Sequence, residues 1–211
     1  MTQEEMQQAA PDAITVLLCG VGGQGTILAA DLLAKAALEA GYVVKVSEIH
    51  GMSQRGGAVT TVVRFGRGRV ASMVADAGTA DCVVSFERME ALRNLAYVKE
   101  GGYLLVADER IKPLPVAAGL VKAPTDLDKR LEATEATIIP AGQIARAAGS
   151  PKSANVVLLG ALATRLDFPL DVWKDVIAKR VPPKTVEANL AAFDEGYKFA
   201  REAALGAPDQ A

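Results

Sequence analysis

Four glycines fall within six residues in GVGGQG, positions 20–25, between the apolar run AITVLLC and a segment of helical spacing. Gly20-x-Gly22-x-x-Gly25 is the spacing of a dinucleotide-binding turn. There the glycines let backbone approach a pyrophosphate, and the helix behind supplies unpaired N–H groups and the positive end of its dipole. Glu48, near the end of the next apolar run, stands where such a site places the acid that takes a ribose hydroxyl. The same turn also arises without a ligand, because positive φ and close packing of helix on strand select glycine by themselves. Gly23 and Gln24 complete the turn, and the Gln24 amide suits either a ligand or the turn's own backbone. Both readings stand on these residues.

A second loop, SEIHGMSQRGG at 47–57, gathers Glu48, His50, Met52, Ser53, Gln54 and Arg55 among Gly51, Gly56 and Gly57, a mixture that no turn type requires. Arg55 presents a planar fork that matches a carboxylate or phosphate. The competing reading has His50 and Arg55 satisfying loop carbonyls or neighbouring acids. In an open α/β sheet ligands sit at the carboxyl ends of the parallel strands, so both loops are expected on one edge.

The remaining chemistry is bounded by scarcity. His50 is the one histidine, so a Ser-His-Asp triad or a multi-histidine metal site has only that residue to build on. Cys19 and Cys82 are the two cysteines, each inside an apolar run where a buried thiol is expected. They cannot hold an iron–sulfur cluster, which takes about four ligands. A net charge of −2 with mixed signs gives no footprint for nucleic acid. No uncharged apolar run approaches the roughly 18 residues that span a bilayer, and MTQEEMQQAAPDA has neither a basic nor an apolar signal region. The expectation is a cytoplasmic protein with no membrane and no nucleic-acid partner.

The elements that must position these residues follow from periodicity. Residues 13–20 read as a central strand buried on both faces, and 26–41 as a helix with Ile27, Leu28, Leu32, Ala36 and Leu38 near one face, ended by Gly41. Residues 42–51 give a second strand completing a βαβ unit. Alternation over 58–65 before Gly66-Arg67-Gly68 reads as the first arm of a β-hairpin, with Arg67 and Arg69 solvated at its tip. Further strands are expected at 80–87, 103–108 and in ATIIP, with a helix from Arg88 closed by Gly101 or Gly102, a proline-rich loop or edge at 111–119 and a helical pattern from Ser153 onward. The fold class is therefore α/β, a three-layer Rossmann-like arrangement with a mostly parallel mixed sheet, an inserted β-hairpin and a helical C-terminal region. Residues 1–12 read as a disordered lead, 13–165 as the α/β domain and 166–211 as a helical region packed on it. An apolar or mixed surface, including the helical C-terminal region around Trp173 and Phe193, is expected to be exposed for a partner to cover.

The paired segments GVGGQGTILAADLLAKAALEAGYVVKVSEIHGMSQRGGAV resemble the gamma-type domain of the 2-oxoacid:ferredoxin oxidoreductases, and SEIHGMSQRGG is most similar to the branch that acts on indolepyruvate. The resemblance covers roughly residues 13–165 and includes NVVLLGALA. It implies a non-cluster subunit of an enzyme that decarboxylates aryl 2-oxoacids with thiamine diphosphate, passes electrons through iron–sulfur clusters to ferredoxin, and forms an acyl-coenzyme A and CO2. On this resemblance the chain alone binds no cofactor and is inactive; thiamine diphosphate, Mg and the clusters belong to a large partner subunit. The positions matching the family's motif are Gly20, Gly22, Gly23, Gln24, Gly25, His50, Gly51, Met52, Ser53, Gln54, Arg55 and Gly56, which with Glu48 are candidates to face substrate or coenzyme A; no metal ligand is assigned. The residues leave two rivals open: a stand-alone NAD(P)- or FAD-binding oxidoreductase built on Gly20–Gly25 and Glu48, and a binding module without chemistry.

Overall fold

The computed structural model describes residues 13–50, 57–122 and 124–205. Six strands form one sheet in the order β2-β3-β1-β4-β5-β6. They are β1 (Ile14–Val21), β2 (Val43–His50), β3 (Ala58–Gly66), β4 (Ala80–Ser85), β5 (Val98–Ala107) and β6 (Thr137–Ile139). β1 is central because β-branched and aliphatic residues occupy both of its faces. Val16 and Leu18 enter one core, Leu17 and Cys19 the other, and all four are at most 1% exposed. Burying such a side chain contributes roughly 1.5–3 kcal/mol relative to leaving it in water.

β3 lies antiparallel between β1 and β2, while β4, β5 and β6 run parallel to β1. Two sequence expectations are corrected here. β1 and β2 point the same way but do not pair, so the βαβ unit is split by β3. The hairpin is made by β2 and β3 around the 51–57 connection, not by β3 and residues 67–79, which form no strand. Alternation identified the β3 strand correctly, but its partner was decided by sheet order. β5 likewise starts at Val98, inside the stretch expected to be helical.

The face carrying Val16, Leu18, Val63 and Phe65 is covered by α1 (Thr26–Glu39), α5 (Ala141–Ala147), α6 (Ala154–Ala163), α7 (Leu170–Arg180) and α8 (Val186–Leu205). α2 (Arg88–Arg93), α3 (Leu114–Ala117) and α4 (Leu127–Glu132) complete the helices, and Ala91 of α2 and Leu131 of α4 cover the opposite face. α1 buries Ala29, Ala30, Leu32, Leu33, Ala36 and Ala37, whereas Ile27 and Leu38 stay exposed, contrary to the sequence stripe. It ends at Gly41, with the Gly41 and Tyr42 amides donating to the Leu38 and Ala37 carbonyls.

The tail is core. Trp173 and Phe193 are fully buried, so the expected apolar surface is not centred on them. Phe65 of the sheet stacks on Phe168 at 5.1 Å, Phe168 on Trp173 at 5.6 Å, and Trp173 on Phe193 at 5.8 Å. Each contact adds about 0.5–1.5 kcal/mol beyond its buried area. This row of rings fixes the C-terminal helices to β3.

Candidate functional site

The carboxyl ends of β1, β2, β4, β5 and β6 share one edge of the sheet, and a series of backbone hydrogen bonds joins the loops that leave it. Gly22 N–H donates to the Gly57 carbonyl at 2.9 Å, which ties the glycine turn to the far end of the 51–57 connection. Phe86 N–H donates to Cys19, Arg88 N–H to Glu109, and Asp108 N–H to Ile139. The two loops singled out in the sequence therefore do meet at one edge.

The glycine turn is shaped by crowding. Gly23 and Gly25 have φ of 104° and 80°, the left-handed region that favours glycine. A Cβ on Gly20 would stand 2.8 Å from Phe86 Cβ, and one on Gly25 2.8 Å from Asn155 Nδ2. Gln24 spends its amide internally: its Oε1 accepts the Val21 N–H at 2.7 Å and its Nε2 donates to the Phe86 carbonyl at 2.7 Å. That side chain braces β1 against β4, which decides the question its sequence position left open. Asn155, 4% exposed on the first turn of α6, donates to the Gly25 carbonyl at 3.3 Å. The N-cap of α1 is Gly25, which has no side chain to cap it.

Glu48 is exposed on β2 in register with Thr61, which itself pairs with Leu18. A whole strand thus separates Glu48 from β1, and it lies level with Leu18, before the turn begins at Gly20. A dinucleotide fingerprint needs its acid on the strand beside the glycine turn. The inserted β3 takes that place, and the rival built on Gly20–Gly25 and Glu48 loses its geometry. His50 ends β2 opposite Val59, level with Gly20 across β3. Gly51, Met52, Ser53, Gln54, Arg55 and Gly56 lie outside the described residues.

Beside the turn, sequence reading missed a charged cleft at the ends of β4 and β5. It has a volume of ≈ 270 Å³, and Arg88 and Arg110 line it together with Met89, Ile111, Pro113 and Leu127. Arg88 bonds Asp108 at 2.9 Å and Asp128 at 2.8 Å, and Arg110 bonds Asp128 at 2.7 Å. The Arg110 hydrogen bond holds the Asp128 carboxyl below the usual aspartate range, with the Arg88 charge adding to it. Glu87, 2% exposed, caps α2 through the Met89 and Glu90 amides. Its burial raises its pKa against the pull of those two bonds. The only sequence signal for this cluster was its position after two buried strands, which names the edge but not the pairings.

Cys19 and Cys82 are both buried, and loss of solvent pushes each thiol up to about 12. Among the described residues no group of three or more His, Cys, Asp or Glu side chains could hold a metal. No described helix is long and apolar enough to cross a membrane.

A sheet with one inserted antiparallel strand, and a glycine turn tied by backbone to a polar loop, define a recognisable class. The chain belongs to the pyruvate ferredoxin/flavodoxin oxidoreductase family, which it matches over residues 15–199. It is 44% identical over 195 residues to indolepyruvate oxidoreductase subunit IorB of Thermococcus kodakarensis, covering 89% of this chain and 96% of that one. The IorB subunit of Methanothermobacter thermautotrophicus is 34% identical over 197 residues, covering 89% of this chain and 97% of its own. Among solved structures, the gamma subunit of a keto/oxoacid ferredoxin oxidoreductase from Geobacter sulfurreducens aligns with a TM-score of 0.67 at 26% identity, over 90% of this chain and 99% of that one. The 2-oxoglutarate:ferredoxin oxidoreductase of Magnetococcus marinus shares the fold at a TM-score of 0.68 and 22% identity, over 91% of this chain and 32% of the longer one.

Proposed function

We propose that this chain is the non-cluster subunit of a thiamine-diphosphate-dependent 2-oxoacid:ferredoxin oxidoreductase that converts aryl 2-oxoacids such as indolepyruvate, with coenzyme A, to acyl-CoA and CO2, reducing ferredoxin. The carrying observation is the 44% identity along almost the whole of an indolepyruvate oxidoreductase subunit. The geometry agrees in one respect: a turn whose glutamine is consumed in bracing two strands suits a rigid wall better than a nucleotide cradle.

The described residues do not fit a cluster or a thiamine-metal site. Two thiols buried on central strands cannot converge on iron, and the described acids form no ligand set. On the relationship to indolepyruvate oxidoreductase subunits, thiamine diphosphate, Mg and the iron–sulfur clusters are proposed to sit on a large partner subunit, which also passes electrons to ferredoxin. The part given to this chain is to enclose the reaction. The glycine turn and the residues at 51–56 are proposed to face the partner's site and to help enclose substrate or coenzyme A. Arg55 is the residue proposed to grip that anion, either the oxoacid carboxylate or a coenzyme A phosphate. Amino-acid catabolism in the cytoplasm is the setting that this chemistry suggests.

Co-expression with the large subunit tests the reading. The purified complex should reduce ferredoxin only with an aryl 2-oxoacid and coenzyme A present, while this chain alone should be colourless and inactive. Arg55→Lys should raise KM for one of the two substrates roughly tenfold or more while leaving assembly intact, since the charge stays but the bidentate fork is lost. A complex inert toward every aryl 2-oxoacid, or an isolated chain that turns over NAD(P)H, would overturn the assignment.

A further inference from the structure

β2 is the edge of the sheet: among the described residues no strand pairs with its outer side. Its eight residues hold unbroken register with β3 from Val43↔Gly66 to His50↔Val59, with neither a bulge nor a proline to spoil a further partner. Natural edges of this length are blunted by such devices or by charge, because unpaired N–H and C=O groups recruit other strands. Of the strand's two charged side chains, Lys45 is turned back onto the Ala71 carbonyl of its own chain and Glu48 is exposed. Meanwhile three apolar side chains stand out from the strand: Val43 at 49%, Val46 at 43% and Ile49 at 59% exposed.

Their spacing is self-complementary. In an antiparallel pairing of two β2 strands about a two-fold axis through Val46, Val46 faces Val46 of the second copy, and Val43 faces Ile49 on both sides of the axis. In the same register Lys45 faces Ser47 and Val44 faces Glu48, so no like charges are directly opposed. Moving the axis one residue either way breaks this. Centred on Ser47, Val46 meets Glu48 and Lys45 meets Ile49. Centred on Lys45, two lysines meet. Cross-strand apolar pairs stabilise such a ladder by about 0.2–1 kcal/mol each, and opposed like charges weaken it.

The patch extends beyond the strand. Arg64 donates to the Ser72 and Val74 carbonyls, which lays that segment along the Val43/Ile49 face, where Met73 and Val74 are 54% and 48% exposed. Ile27 of α1, 54% exposed, belongs to the helix that covers the Val46 face. We propose that β2 is an isologous interface at which two copies of this chain join their sheets edge to edge, with Val46 on the two-fold axis. The self-matching register favours a second copy over an unrelated strand, since an arbitrary partner would not require apolar residues placed symmetrically about one position. The proposal is independent of the reaction assigned to the chain.

The experiment is a mass measurement by light scattering or sedimentation at tens of micromolar, on the purified chain and on the complex co-expressed with the large subunit. The wild-type chain should be a dimer. Val46→Lys and Val46→Glu should each halve the mass without altering the circular dichroism, and the melting temperature should lose the concentration dependence that association gives the wild-type chain. Mixing the two variants in equal amounts should restore the dimer, because lysine then faces glutamate across the axis. A monomeric wild-type chain, variants that stay dimeric, or a mixture that stays monomeric would each overturn the proposal. So would variants that release the large subunit from the complex while the isolated wild-type chain is a monomer, since β2 would then pair with that partner.

Discussion

Replacing Gly160 or Gly196 with alanine tests the idea that two of the C-terminal helices are set against each other by backbone contact. Gly160 on α6 and Gly196 on α8 are both buried where the two helices cross. A Cβ on Gly160 would lie 2.9 Å from the Phe193 carbonyl carbon and from Tyr197 N, and closer still to the Phe193 oxygen; one on Gly196 would lie 2.8 Å from the Val157 carbonyl carbon. Ordinary contact begins near 3.4 Å. The obstacle is backbone in each case, so no side chain can swing away and the helices must part. Overpacking of this kind costs about 1–3 kcal/mol, and with a backbone obstacle the upper end applies. Alanine returns about 1 kcal/mol of helix propensity. The net loss is therefore about 2 kcal/mol, which for a chain of this size lowers Tm by roughly 4–8 °C. Both substitutions demand the same separation, so the double variant should lose less than the sum of the singles. Thermal unfolding followed by circular dichroism reads this directly. An unchanged or higher Tm in either single variant would show that the helices can part freely, and the argument from close approach would fail.

Three further outcomes follow from the site. Gln24→Glu keeps the acceptor for Val21 N–H but turns a carboxylate on the Phe86 carbonyl. It should destabilise by on the order of 1–3 kcal/mol at neutral pH, and the Tm gap to wild type should narrow in acid, where the protonated acid donates again; a gap independent of pH would refute the bracing role. Cys19 and Cys82, raised to about 12 by burial, should resist a thiol reagent at pH 8 in the folded chain and react fully once denaturant is added. Fast labelling of the native protein would contradict that. The two carboxylates of the edge should show opposite linkage. Glu87 is raised, so the folded state holds its proton longer and stability falls as pH rises from the ordinary glutamate value through the raised one; Glu87→Gln should remove that decline. Asp128 is lowered, so its contribution is present above the ordinary aspartate value and is lost as pH falls through the lowered one; Asp128→Asn should flatten the acid side, as read by denaturant titration at a series of pH values.

The sequence by itself determined what is local or set by scarcity. The apolar run before GVGGQG could only be a strand buried on both faces, and the glycines after it had to form a turn leading into a helix. Two cysteines and one histidine, too few for a cluster or a multi-histidine site, bounded the chemistry. Motif spacing went further, since the coupling of the glycine turn to SEIHGMSQRGG carried the family. Tertiary structure decided what depends on which strand lies beside which. Alternation marks β3 as a strand but holds no information on its neighbour, so the hairpin partner and the separation of Glu48 from the glycine turn came only with the sheet order. Exposure was decided in the same way: Trp173 and Phe193 have the helical spacing of either a docking face or a core, and the ring contacts that begin at Phe65 make them core. Ile27 and Leu38 sit on an apolar helix but face water, because the helix packs through its alanines. The Arg88–Asp108–Asp128–Arg110 cluster joins residues far apart in the chain. No periodicity encodes such pairings; they exist because parallel strands deliver their carboxyl ends to one edge.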